Sequence, residues 1–90
     1  MENTPALKPV RLSGHTLSRL VLRGGTADEV FAAIREAKWE GAKNNCFQCR
    51  KSFPFGQVWN GKPYNTKQVK VIFQDRETEI YVVTTYVFYF

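Results

Sequence analysis

The sequence predicts an α+β domain in which two N-terminal helices pack on one face of a roughly four-stranded antiparallel sheet. Residues 67–90 are dominated by β-branched and aromatic side chains, which favour strands and end the chain in a long hairpin. The first third of the chain instead carries helix-capping residues and helical apolar spacing. Helices followed by a run of strands are typical of an antiparallel sheet with its helices on one face.

The first helix is expected over about residues 14–22. Ser13 is a suitable N-cap, and Gly24-Gly25 ends the helix because glycine adopts the left-handed conformation of a C-cap. The apolar stripe expected to be buried on this first helix is Leu17, Leu20 and Val21.

The segment before the helix is expected to be a flexible N-terminal arm, because residues 1–12 contain prolines and little pattern. A single domain is expected over residues 13–90.

The second helix begins with a capping box. The Thr26 hydroxyl can accept from the backbone N–H of Glu29, and the Glu29 carboxylate can accept from the N–H of Thr26. The helix is expected to run to about Lys38. Its expected buried residues are Val30, Phe31, Ile34 and Ala37.

About four strands are expected after the helices. Residues 39–53 favour two short strands that turn near residues 43–45, and residues 54–56 (Pro-Phe-Gly) are expected to break that segment. Asn60-Gly61 is the dipeptide of a tight type I′ turn. In the final hairpin residues 67–74 pair with residues 79–88, and the second of these strands is apolar on both faces, as expected of a central strand.

Composition predicts one small domain and a polyanionic partner. The 90-residue chain carries a net charge of +5, and every charged residue from position 41 to position 70 is basic. A stretch of uniformly positive charge is a plausible footprint for a polyanion; the alternative is a solvated basic surface without a partner. No signal peptide or membrane span is evident, so we expect a cytoplasmic protein whose two cysteines are reduced.

His15 and Arg19 are the first candidate site residues. Their i, i+4 spacing places both on one face of the first helix, about 100° from the apolar stripe. Imidazole exchanges protons near neutral pH, and a guanidinium binds phosphate. The alternative is an ordinary surface pair.

A second candidate set combines cations with aromatic rings. Arg50 and Lys51 are interleaved with Phe53, Phe55, Trp59 and Tyr64. Cations bind phosphates and flat rings stack on bases, as single-stranded nucleic acid requires. The alternative is that these aromatic residues form a small core under a loop. The basic residues expected to bind nucleic acid are Lys51, Lys62, Lys67 and Lys70.

Two hydroxyl residues, Thr84 and Tyr86, are the third candidate set. Alternation along the last strand is expected to put them on one face with Ile80, Val82 and Phe88. Their hydroxyls could bind a phosphate, or could satisfy neighbouring groups in the sheet.

The pair Cys46 and Cys49 forms a single C-x-x-C. It supplies two zinc ligands where a structural site needs four, and His15 would be only a third. The helix N-terminus typical of a thioredoxin-type motif is not evident. We therefore expect no metal or redox site there.

Together these motifs resemble those of a small bacterial and phage family that reads H-x-x-x-R…RGxT-x-x-E-V…VVT-x-Y. The matching segments are His15-x-x-x-Arg19, Arg23-Gly24-Gly25-Thr26-x-x-Glu29-Val30, Arg50-Lys51-x-Phe53, Lys67-Gln68-Val69-Lys70-Val71 and Val82-Val83-Thr84-Thr85-Tyr86. The family is similar to the BrnT-like and RelE-like toxins and, more widely, to the barnase–EndoU–colicin–RelE ribonucleases. In that family an apolar residue commonly replaces the second glycine.

The resemblance implies a metal-independent endoribonuclease without a cofactor, held in check by an antitoxin. His15 would then be the general acid or base, Arg19 and Arg50 would hold the scissile phosphate, and the hydroxyls of Thr84 and Tyr86 would orient it. The alternative is a non-catalytic module of the same fold that binds RNA or a protein. The apolar residues 86–90 could also support partner binding or self-association.

Overall fold

The structure, a computed structural model, describes residues 8–90. Both helices pack on one face of a single sheet whose strand order is β1-β5-β4-β3-β2. The α+β class is confirmed, as is the placement of the helices before the long strands. The elements are β1 (Val10–Leu12), α1 (Gly14–Leu22), α2 (Ala27–Glu36), β2 (Glu40–Gly41), β3 (Phe47–Trp59), β4 (Lys62–Asp75) and β5 (Ile80–Tyr89).

The sheet has five strands and is mixed, where four antiparallel strands were expected. The additional strand is β1, which pairs in parallel with β5 so that Val10 lies opposite Ile80 and Leu12 opposite Val82. Residues 10–12 of the expected arm are therefore a strand, and residues 1–7 lie outside the described residues. A three-residue strand is too short to produce a recognisable alternation, so only pairing with β5 reveals it.

Helix α1 has the expected ends but buries a different side. The Ser13 hydroxyl accepts from the N–H of Thr16, which confirms the N-cap. Thr16 and Leu20 are buried, whereas Leu17 and Val21 of the predicted stripe are exposed. The prediction was wrong for Leu17 and Val21 because α1 packs against β5 through the side that carries Thr16 and Leu20. These two residues, spaced i, i+4, lie on one side of the helix.

The capping box of helix α2 is confirmed in both directions. The backbone N–H of Glu29 donates to the Thr26 hydroxyl at 3.2 Å, and the N–H of Thr26 donates to the Glu29 carboxylate at 3.0 Å. The helix ends at Glu36, two residues earlier than expected. The indole of Trp39 donates to the carbonyl of Ile34, which folds the chain back under the helix end. The buried residues are Val30, Ala33 and Ile34, while Phe31 and Ala37 are only partly buried.

Strand β3 continues through the expected break. Its register against β4 shifts between Pro54 and Gln57, and Gly56 has a φ of +60°, so a bulge absorbs the irregular residues. Proline is tolerated because it lies opposite Thr66, whose N–H and C=O both bond to Phe90, the residue that follows β5. The Asn60-Gly61 turn is confirmed, with φ values of +51° and +83°.

The faces of the sheet follow from the β4–β5 register. Val69, Val71 and Phe73 of β4 are buried beneath the helices, as expected. We call the opposite side the open face; its central side chains are Arg50, Gln68, Lys70, Tyr86 and Phe88. Strand β5 has a neighbouring strand on each side, β1 and β4, as its apolar faces predicted. However, β1 pairs with only the first three residues of β5, and the middle strand of the sheet is β4.

A bulge in β5 corrects the predicted faces of that strand. Phe73 pairs with Val82 and the preceding Ile72 pairs with Thr84, which leaves Val83 without an opposite residue. The alternation reverses at that point. Ile80 and Val82 are buried under the helices, whereas the side chains of Thr84, Tyr86 and Phe88 lie on the open face, so these five residues do not share one face.

Candidate active site

A cleft of about 320 Å³ lies between α1 and the edge of β5. Strand β1 ends opposite Val82, and the chain then turns into α1, so β5 beyond Val82 has no neighbouring strand on that side among residues 8–90. The helix lies alongside this free edge. The residues that line the cleft are His15, Thr16, Arg19, Arg23, Val83, Thr84, Thr85 and Tyr86.

Three cationic or titratable side chains of α1 and its C-cap line this cleft. His15, Arg19 and Arg23 are spaced i, i+4, i+8, which places them along one stripe of the helix. His15 and Arg19 are exposed. Arg23 was not among the predicted site residues. Its position four residues after Arg19, which continues the spacing of His15 and Arg19, could have indicated it.

Arg23 is held in place by contacts at both ends. Its guanidinium donates to the carbonyl of Thr85 at 2.8 Å, which satisfies one group of the free β5 edge. Its own carbonyl accepts from the Tyr89 hydroxyl at 2.7 Å. The next residue, Gly24, has a φ of +84°, and a Cβ there would lie only 2.2 Å from that hydroxyl. The end of α1 is therefore fixed against β5.

The bulge at Val83 determines which hydroxyls reach the cleft. Thr84 and Tyr86 both line it, together with His15 and Arg19, so four of the five predicted catalytic residues meet in one place. The Tyr86 ring lies between two cations, with Arg23 at 6.0 Å and Lys70 at 5.7 Å from its centroid. Thr85 also lines the cleft, and its buried hydroxyl has no hydrogen-bond partner within residues 8–90.

The fifth predicted catalytic residue, Arg50, does not line the cleft. It lies on the open face of β3, opposite Lys70, which in turn lies opposite Tyr86. Adjacent strands are about 4.8 Å apart, so Arg50 is separated from Tyr86 by roughly 10 Å across the sheet. Arg50, Lys70 and Tyr86 therefore form a row that extends from the cleft across the open face.

The other predicted nucleic-acid-binding lysines are dispersed. Lys51 faces the helices and pairs with Glu36 at 3.1 Å. Lys62 is exposed at the β3–β4 turn, away from the cleft. Lys67 is buried on the helix side. Of the four lysines, only Lys70 lies beside the candidate site.

Three of the four aromatic residues between positions 53 and 64 pack around one ring of β5. Phe55, Trp59 and Tyr64 surround the ring of Tyr89, at centroid distances of 5.2, 5.0 and 5.7 Å. This supports the alternative of a small core over the stacking role considered for them. The exposed aromatic pair of the sheet is Tyr86 and Phe88 instead.

The cysteines form no recognisable metal site. Cys46 and Cys49 are both buried free thiols, and burial raises the pKa of Cys49 to about 11, so it is protonated at neutral pH. A protonated thiol is a poor nucleophile and a poor metal ligand. Within residues 8–90, no group of three or more His, Cys, Asp or Glu side chains is close enough together to hold a metal ion.

A second cleft, of about 480 Å³, opens on the other side of the β5 bulge. It is lined by the β2–β3 turn, by Ile72 and by Val83 and Thr84, which the first cleft shares.

No helix in residues 8–90 is long and apolar enough to span a bilayer. Searches of protein-family models, curated proteins and solved structures return no match for this chain.

Proposed function

We propose that this protein is a metal-independent endoribonuclease of the toxin type, with the α1–β5 cleft as its active site. The observation that carries the proposal is that His15, Arg19, Arg23 and the hydroxyl residues of β5 line one exposed cleft. Ribonuclease chemistry without a metal needs a proton-transfer group beside a cationic phosphate site. The sequence resemblance described above supports the same assignment, including an inhibitory antitoxin as partner.

In the proposed reaction the ribose 2′-hydroxyl attacks the adjacent phosphorus, and the bond from phosphorus to the 5′-oxygen breaks. The products are a 2′,3′-cyclic phosphate and a 5′-hydroxyl. His15 transfers one proton, either from the attacking hydroxyl or to the leaving oxygen, and solvent water takes up or supplies the other. Arg19 and Arg23 neutralise the charge that develops on the phosphate oxygens, and Thr84 and Tyr86 donate hydrogen bonds that orient it.

Cleavage of labelled single-stranded RNA in EDTA tests this proposal. We expect wild-type protein to cut and His15→Ala to be slower by roughly 10²–10⁴-fold, the usual contribution of a general acid or base. Ser18→Ala is the matched control, because Ser18 is exposed on the same helix and does not line the cleft. Circular dichroism establishes that each variant is folded. Equal cleavage by His15→Ala and wild type would refute the role of His15.

A second candidate function is a non-catalytic RNA-binding module. It is favoured by the lining of the cleft, which within residues 8–90 contains one imidazole and no carboxylate. No described side chain there is therefore evident as the group for the opposite proton transfer. In this case neither wild type nor His15→Ala would cut RNA, but both would bind it. The same experiment, read by gel shift as well as by cleavage, separates the two functions.

A further inference from the structure

The open face of the sheet carries an exposed aromatic pair, Tyr86 and Phe88, whose rings the proposed chemistry does not use; only the Tyr86 hydroxyl has a role there. The rings of Tyr86 and Phe88 are 41% and 44% exposed, although large aromatic side chains are normally buried in a small domain. They are nearly parallel, with an interplanar angle of 17° and centroids 6.3 Å apart. Their side chains stand on consecutive positions of the same face of β5.

The surroundings of this pair are cationic and polar. Lys70 and Gln68 of β4 lie directly opposite Tyr86 and Phe88, and Arg50 of β3 lies opposite Lys70. No Asp or Glu occurs in residues 41–74 or 80–90, which include all the open-face positions of β3 and β4 up to Gln74 and all of β5. A negatively charged ligand with flat rings is therefore complementary to this surface.

We propose that Tyr86 and Phe88 form a stacking platform for unpaired nucleobases, and that Lys70 and Arg50 bind the phosphates of the same strand. Base–aromatic stacking beside a cationic track is the usual way in which single-stranded nucleic acid is bound without sequence selectivity. Duplex RNA does not fit this role, because its paired bases offer no free face to a ring. The platform thus selects single strands.

The platform deepens the proposed function, on which it rests for the choice of RNA as ligand. Tyr86 belongs to both surfaces, since it lines the cleft and stacks against Phe88. A strand whose bases lie on the platform would continue around the β5 edge toward Arg23 and His15. The platform therefore positions the strand that the cleft is proposed to cut.

Phe88 provides the test, because it is exposed and does not line the cleft. Fluorescence anisotropy would compare two probes of equal length: a single-stranded 2′-O-methyl RNA, which lacks the attacking hydroxyl, and an abasic strand with the same phosphates. We expect wild type to prefer the strand with bases, and Phe88→Ala to weaken that binding about tenfold with little effect on the abasic strand.

Two further variants separate stacking from folding and from general apolar contact. Phe88→Trp should keep the preference and show quenching of the new indole by the bases, whereas Phe88→Leu, which keeps the apolar contact without a flat ring, should behave as the alanine variant does. Leu22→Ala is the control for loss of an exposed apolar side chain, since Leu22 is exposed on α1 and does not line the cleft. It should bind as wild type does.

The proposal is overturned if wild type binds both strands equally, or if Phe88→Ala weakens both to the same extent. Either result would show that the two rings do not stack on nucleobases. Because the probes cannot be cleaved, the result is independent of catalysis. A protein that does not cut RNA but shows the stacking preference would disprove the ribonuclease proposal and leave the platform intact.

Discussion

Lys67 lies beneath the turn between α1 and α2, with only 11% of its side chain exposed. Its ammonium group pairs with the Glu29 carboxylate at 2.8 Å and donates to the carbonyl of Gly24 at 2.9 Å. Both charges are largely withdrawn from water, so each depends on the other for compensation. Lys67 therefore joins the sheet to the helices, although its sequence context suggested an RNA contact.

Replacing one member of this pair should be costly. Glu29→Gln keeps a side-chain oxygen for the Thr26 N–H but removes the charge opposite Lys67, and we expect it to lower the free energy of unfolding by about 2 kcal/mol. Urea denaturation measures the change. Glu36→Gln, which removes the exposed partner of Lys51, is the matched control and should cost less than about 1 kcal/mol. Equal losses in the two variants would contradict the buried-pair interpretation.

Among the secondary-structure elements, β1 has only three residues and is held by electrostatic contacts as well as by its pairing with β5. The Arg11 guanidinium makes two hydrogen bonds to the Glu79 carboxylate, at 3.0 and 2.8 Å, and Lys8 pairs with Asp75 at the end of β4. Arg11 also lies over the Tyr81 ring, 4.6 Å from its centroid. These contacts fix where the chain leaves β1 and enters α1.

This attachment should weaken in acid. The hydrogen bond from Arg11, followed by the contribution of Arg76, holds the pKa of Glu79 below its usual value of 4.5. A lowered folded-state pKa adds stability above pH 4.5 that is lost as the pH falls through the lower value in the folded protein. We expect Glu79→Gln to be less stable than wild type near neutral pH and to converge with it in acid, as measured by urea midpoints across pH.

Glu77 is the control for this experiment, because it is an exposed carboxylate in the same β4–β5 connection. Measured over the same pH range, Glu77→Gln gives the reference for removing an exposed carboxylate from this connection. A Glu79→Gln variant whose deficit persists below the shifted pKa would show that the contact contributes through something other than its charge.

At the scale of the whole molecule, acidic and basic residues are separated. The acidic residues of the described chain lie on α2, in β2 and around the β4–β5 turn. In contrast, α1, β3 and β4 up to Gln74 carry only basic residues, and β5 carries no charged residue. The lining of the cleft and the central side chains of the open face therefore include cationic groups and no carboxylate within residues 8–90. Such an arrangement attracts a polyanion before any specific contact forms.

Binding of single-stranded RNA should accordingly depend strongly on salt. If Arg19, Arg23, Arg50 and Lys70 each contact a phosphate, the slope of log affinity against log salt concentration should be roughly −3. Anisotropy titrations at several salt concentrations measure this slope. Lys70→Ala should make the slope shallower by about 0.7, whereas Lys38→Ala, an exposed lysine just after α2, should not change it. Affinity that is insensitive to salt would exclude the cationic surface as the binding site.

The candidate site was partly predictable from sequence because part of its pattern is local. His15 and Arg19 share a helix face whatever the rest of the chain does, and Thr84 and Tyr86 share a strand face for the same reason. Their meeting in one cleft was not predictable. It depends on α1 turning its His15 side toward β5, which in turn depends on β1 pairing with only the first three residues of that strand.

The sequence by itself determined the two capped helices, the Asn60-Gly61 turn and the final hairpin, because each depends on residues a few positions apart. Only the tertiary structure decided the parallel pairing of β1, the bulge at Val83, the burial of Lys67 and the contact of Arg23 with Thr85. Each of these results from packing between segments far apart in the chain. Local propensity cannot specify such contacts, since the same lysine or arginine is equally suited to solvent until the fold supplies its partner.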